Sequence, residues 1–251
     1  MMRRLNDTTH NFTIATQEFS SATQRSINTT QRPPPFRLPA FVRYYNYQMI
    51  DYVISHLGMD KIARGGICAG LSIEWIRLHR ELKLQVELKN ITRPSGQSAK
   101  ASKRIGDESP MRTPSGMARA RNLQLYYETV VYSSEQSSLE ANDVAVRKTM
   151  SRAQLGLTPA RVVKIAYDET ELWNQLARQS GYFILGLIFQ NSAHGVAFYH
   201  DEARSRARLF DPNLGEFSFK VARWMTPFFS DLLRYYDRGK CIYIWKCHEP
   251  S

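Results

Sequence analysis

Gly65-Gly66-Ile67-Cys68-Ala69-Gly70-Leu71-Ser72-Ile73-Glu74-Trp75-Ile76-Arg77-Leu78 is the stretch from which the fold reads outward. A glycine pair precedes a cysteine, and the cysteine stands where a helical apolar pattern begins. Leu71, Trp75 and Leu78 fall at i, i+4 and i+7, the spacing of one buried helix face. This predicts a helix over 68–81 with Cys68 at its N-terminus. There the sulfur meets the positive end of the peptide dipoles and nearby N–H groups. Both favour the thiolate, so the thiol pKa is expected below the free value of about 8.5. A thiolate is a nucleophile, and the adjacent amides can hold a developing oxyanion. The competing reading is inert packing, the common fate of a lone cysteine on a helix. A histidine beside the sulfur separates the two.

The chain of 251 residues is 43% hydrophobic, enough for the core of one large domain. Its net charge of +11 suits an acidic partner. No RNP, zinc-finger or glycine-rich phosphate motif accompanies that charge, so a nucleic-acid partner is not expected, nor a cofactor or metal. The three cysteines, Cys68, Cys241 and Cys247, are an odd number, and the last two lie along one predicted strand. That excludes a disulfide framework and points to a reducing compartment. No run of about 18 apolar residues is present to span a membrane, and the N-terminus lacks a Sec-type apolar core.

Residues 1–39 are rich in Ser, Thr, Asn and Gln and close on Pro33-Pro34-Pro35 and Pro39. This polar leader cannot offset its ordering entropy and is expected to be disordered. An aromatic-rich helix is expected over 41–57. Residues 92–121 carry Pro and Gly punctuation with Lys100, Lys103, Arg104, Arg112 and Arg119, and read as a mobile basic insertion. Residues 118–150 read as mainly helical with a break near Ser133-Ser134. A strand follows over 162–167, and then a helix capped by Asp168, with Glu171 placed to close a capping box.

From Gly181 the period changes to strands, at 182–190, 194–200, 205–210 and 216–220. A helix over 221–236 and a strand over 241–246 complete the chain. Helices first and consecutive strands later indicate an α+β fold, a mostly antiparallel sheet packed by helices.

Two of the six histidines, His194 and His200, fall in these strands. A four-residue loop, 201–204, closed by His200 and Ser205 would set His194 directly opposite Asp211. Opposed residues share a face with Cβ atoms about 5 Å apart, so a carboxylate could hold one imidazole nitrogen. The other nitrogen would meet a thiol brought alongside by the cysteine helix. In this register His200 sits at the loop tip as a solvated residue. Asp211-Pro212-Asn213 is also strong turn chemistry, and Asp211 could serve both ends. A one-residue slip would put His194 and Asp211 on opposite faces.

Gly66-Ile67-Cys68-Ala69-Gly70-Leu71-Ser72-Ile73-Glu74-Trp75-Ile76, Ala193-His194-Gly195-Val196-Ala197-Phe198-Tyr199 and Phe210-Asp211-Pro212-Asn213-Leu214-Gly215-Glu216-Phe217 together resemble the catalytic blocks of YopT-type cysteine proteases. That family includes the AvrPphB group of bacterial type III effectors and has a papain-like fold. The resemblance implies a secretion leader over 1–39 and a protease domain over 40–251. It implies Cys68 as nucleophile, His194 as general base then acid, and Asp211 as the orienting residue.

It further implies secretion by a type III system and cleavage of a protein in the host cytoplasm, with signalling kinases and small GTPases as precedent substrates. It leaves room for a secretion chaperone on the leader, and the basic surface for a weak contact with a membrane. Residues 60–67 depart from the pattern by holding no Asn or Gln to serve the oxyanion. No glycine precedes Gly58, so N-myristoylation near the start is not expected. Two alternatives stay open at this level. The same triad serves deamidation or acyl transfer through an identical thioester, and a chain with a relic triad would serve as a non-catalytic module binding a host protein.

Overall fold

The computed structural model describes residues 42–45, 66–91, 114–134, 138–190, 192–219, 225–236 and 239–249. The expected leader over 1–39, residues 46–57 of the expected first helix, and 92–113 of the expected insertion lie outside them, as do 221–224.

In chain order the elements are strand β1 (Val42–Tyr45), helices α1 (Cys68–Ile91), α2 (Pro114–Tyr132) and α3 (Ser138–Arg152), and strands β2 (Thr158–Pro159) and β3 (Val163–Ala166). Helix α4 (Glu169–Ala177), strands β4 (Gly181–Ile188), β5 (Ala193–Asp201), β6 (Arg206–Asp211) and β7 (Gly215–Phe219), helix α5 (Met225–Tyr235) and strand β8 (Cys241–His248) complete the set. The strands form an 8-stranded sheet ordered β1-β7-β6-β5-β4-β8-β2, with β3 also on β8. All its pairings are antiparallel.

Both faces of the sheet are covered. Tyr182, Ile184, Ala197, Tyr199, Phe210, Tyr243 and Trp245 turn to one face, where Leu71, Ile76, Met117, Val146 and Met150 from α1, α2 and α3 pack on them. Phe183, Leu185, Leu187, Val196, Phe198 and Leu209 turn to the other, against Leu172 and Leu176 of α4 and Phe228, Phe229 and Leu232 of α5. Central strands buried on two sides need apolar residues on both parities, which explains the unbroken runs of β4 and β8.

Several elements differ from expectation for identifiable reasons. Val42–Tyr45, expected as the start of a helix, is an edge strand in which Val42 faces Phe219 and Tyr44 faces Phe217. The β-branched and aromatic residues suit a strand once β7 offers an edge to pair with. Helix α1 continues past 81 to Ile91, because 79–91 holds no glycine or proline and Arg77 pairs with Glu81 one turn on. Helix α2 begins at Pro114, a residue suited to the first helical turn, so 114–121 of the expected insertion is helical. Asp168 caps α4 by accepting from the Glu171 amide at 2.7 Å. The Glu171 carboxylate reaches back to the Ala166 amide at 3.1 Å rather than to the cap's own N–H.

Candidate active site

The strand register differs from the expected one by two residues. His200 faces Ala207 and Asp201 faces Arg206. The loop is again four residues long but runs from 202 to 205, because Ser205 adopts a left-handed φ of 46° and belongs to the turn. Asp201 fixes that turn through its carboxylate, which accepts from the Arg204 amide at 3.1 Å. A shift of two preserves side-chain parity, so His194 and Asp211 still share a face. They meet diagonally, His194 Nε2 3.0 Å from Asp211 Oδ1, both buried. His200 is corrected by the same register: it is buried, edge-on to Trp173 and stacked near Phe198, not solvated at a loop tip.

The shifted register also explains how the cysteine helix reaches the histidine strand. The β5–β6 ladder ends at Ala197 opposite Phe210. Its continuation would set Pro212 against Gly195, and proline has no N–H to offer. The backbone of Gly195 is instead taken by α1. Ser72 Oγ donates to the Gly195 carbonyl at 3.0 Å, and the Gly195 N–H donates to Cys68 Sγ. A Cβ on residue 195 would lie 3.2 Å from the Ala69 nitrogen and 3.3 Å from the Cys68 carbonyl carbon, so the helix tip rests on bare glycine backbone.

Cys68 heads α1 and is half-buried. Burial would push its thiol pKa up. The hydrogen bond and positive charge of His194, with the N–H groups of Gly195 and Ala69, oppose that and hold it below the ordinary thiol value. Burial would likewise lower His194, but the charge and hydrogen bond of Asp211, then Cys68, raise it to about 10. Nε2 is committed to Asp211, which leaves Nδ1 for the sulfur. Both shifts favour a thiolate beside an imidazolium.

Asp211 does serve two ends. Its Oδ1 accepts from His194 and also from the Asn213 amide at 2.8 Å and the Leu214 amide at 3.3 Å. The turn and the imidazole thus share one carboxylate. Spacing alone does not reveal Tyr236, which follows α5. Its hydroxyl lies 2.9 Å from each Asp211 oxygen and 3.0 Å from His194 Nε2. No local pattern marks it, because it comes from the helical layer opposite α1, distant in sequence from the rest of the site.

The other residues of the first block lock α1 in place. Gly70 lets α2 approach so closely that a Cβ there would lie 2.1 Å from the Ala120 carbonyl oxygen. Its amide, one of the orphan donors of a helix start, finds Gln124 Oε1 at 3.0 Å. Glu74 is buried and accepts from Arg77 and Arg119, each at 2.8 Å. Trp75 Nε1 donates to Glu216 Oε2 at 3.1 Å, tying the first sequence block to the third. Burial raises Glu216, while Arg208 and Trp75 hold it back.

Comparison with known proteins agrees with this architecture. Residues 9–241 match the family described as Yersinia/Haemophilus virulence surface antigen, a peptidase family. The chain belongs to this YopT-type cysteine protease family. Among solved structures, the crystal structure of the Pseudomonas avirulence protein AvrPphB is similar in fold, with a TM-score of 0.53 at 22% identity. The match covers 72% of this chain and 90% of that one. The papain-like α+β arrangement of the YopT-type family is therefore the fold of this chain. No curated protein matches the chain in sequence. Among the described residues, no helix of this family member is long and apolar enough to cross a membrane.

Proposed function

We propose that this YopT-type family member is a cysteine endopeptidase acting through Cys68, His194 and Asp211. The observation that carries the reading is the hydrogen-bonded line from a buried carboxylate through an imidazole to a sulfur at a helix N-terminus. In this mechanism the Cys68 thiolate adds to a peptide carbonyl carbon. The Ala69, Gly70 and Leu71 amides are engaged by Cys68 Sγ, Gln124 and Ile67, so the Cys68 amide is the donor assigned to the oxyanion. As the C–N bond breaks, His194 passes its proton to the leaving amine. Water then attacks the thioester, His194 takes its proton, and the C–S bond breaks to regenerate the thiolate. Asp211 keeps the ring oriented and stabilises its charge throughout.

By family precedent the substrate is a host protein, of the signalling kinase or small GTPase class, met in the host cytoplasm after type III secretion. The test compares new protein N-termini in host lysate treated with the wild type or with Cys68→Ala. A discrete set of cuts made by the wild type alone supports the proposal. Identical N-terminal profiles with both proteins, or an intact substrate changed only from amide to acid, would overturn it.

A further inference from the structure

Tyr236 lies one residue beyond α5 and is built into the carboxylate–imidazole pair rather than merely packed over it. Its hydroxyl has one proton and two lone pairs. Asn213 Nδ2 donates to that oxygen at 3.2 Å, which directs the phenolic proton toward Asp211, whose two oxygens both lie 2.9 Å away. The His194 Nε2–H then has two acceptors at 3.0 Å, Asp211 Oδ1 and the phenol oxygen. The phenol ring lies 4.8 Å from the imidazole at 33°, over the same hydrogen bond.

The tyrosine is itself anchored. Tyr167 Oη donates to the Tyr236 carbonyl at 3.0 Å and to that of Leu233 at 3.3 Å, holding the last turn of α5 against β3. Phe189 and Tyr235 contact the ring from two further directions. A surface aromatic needs none of this.

We propose that Tyr236 is a positioning residue whose hydroxyl fixes the rotation of the Asp211 carboxylate against His194 and thereby keeps Cys68 ionised. The inference rests on the proposed triad. A buried carboxylate that loses a charge-assisted donor either turns toward another donor or is left undersatisfied, and its grip on the imidazolium weakens. The titratable groups facing the cluster are Cys68 from α1, Tyr127 from α2, Asp211 from β6, and Tyr235 beside Tyr236. The three phenols are held protonated, mainly by burial, so Tyr236 stays a donor throughout the working range.

The experiment is alkylation of Cys68 by iodoacetamide as a function of pH, followed on the Cys68 peptide by mass spectrometry. It compares the full chain with Tyr236→Phe and Asn213→Ala, after circular dichroism has shown each variant folded. The readout needs no substrate. The wild type should alkylate with a midpoint below that of a free thiol. Tyr236→Phe keeps the ring and should move the midpoint up by about one pH unit, roughly a tenfold loss of thiolate on the acid side. Asn213→Ala, which frees the hydroxyl to turn, should move it the same way by less. A low wild-type midpoint that Tyr236→Phe leaves unchanged would overturn the role of Tyr236 and leave the protease reading standing. A wild-type midpoint at the ordinary thiol value would overturn the triad, and this inference with it.

Discussion

Charge placement at single residues decides how the site responds to pH. Cys68 gives up its proton below the ordinary thiol value, because His194 and two amides outweigh burial, and His194 keeps its proton to about 10. These shifts favour the ion pair between the two limits. On acidification the sulfur is protonated, and the proposed nucleophile is lost. On alkalinisation the imidazolium is lost, and in the proposed reaction the leaving amine then has no proton donor. Activity against a cleaved peptide should have an acid limb below the ordinary thiol value and an alkaline limb near pH 10. Both limbs belong to the coupled pair rather than to either residue. A narrow optimum with its alkaline limb near pH 7 would contradict the assignment. At this scale Cys68, His194 and Asp211 were legible from residue type and spacing. Tyr236 was not, since it carries no sequence signal.

Helix α1 is the element on which the site turns, and it uses alternate means to hold its tip. Ser72 and the bare backbone of Gly195 fix it to β5, Trp75 fixes it to Glu216, and Gly70 and Glu74 fix it to α2. Two glycine substitutions separate stability from geometry. Gly70→Ala gains about 1 kcal/mol of helix propensity. It also drives a methyl to 2.1 Å from the Ala120 carbonyl oxygen, where backbone must move. Such overpacking costs roughly 1–3 kcal/mol or more, so net destabilisation is expected in a denaturant titration. Gly195→Ala meets α1 at 3.2–3.3 Å, which a shift of a few tenths of an ångström relieves. Stability should change little, while activity falls because the sulfur is displaced from the imidazole. If Gly195→Ala is as active as wild type, the close approach of helix and strand has no catalytic consequence. The helix itself was legible from its apolar period, but its length and its partners were not.

At the scale of the whole molecule, the site forms where the two helical layers meet across the sheet. Cys68 comes from one layer, Tyr236 from the other, and His194 and Asp211 from strands between them. Residues at the opposite end of the sheet should therefore affect stability alone. Cys247 faces Tyr182 at the far end of β4, whereas His194 faces Leu187, about 17 Å along the strand. Its sulfur packs 3.6 Å from Met150 Sδ, and burial pushes its thiol up to about 12. Cys247→Ser buries a hydroxyl in that apolar setting at a cost of roughly 1–3 kcal/mol. A lowered melting temperature with an unchanged Cys68 alkylation profile is the expected pair of results. A shifted profile would mean that the two ends of the sheet are coupled.

What the sequence determined by itself was local or periodic. It set the helix that starts at Cys68, the alternation and turns after Gly181, and the parity that puts His194 and Asp211 on one face. Parity survives a two-residue error because strand side chains repeat every two positions. What only the tertiary structure decided was non-local. It made Val42–Tyr45 a strand because β7 presented an edge, and buried His200 because α4 covered it. It also brought Tyr236 to Asp211 from 25 residues along the chain. Such outcomes depend on which surfaces are left to be covered once the chain has closed, and no window of neighbouring residues contains that information.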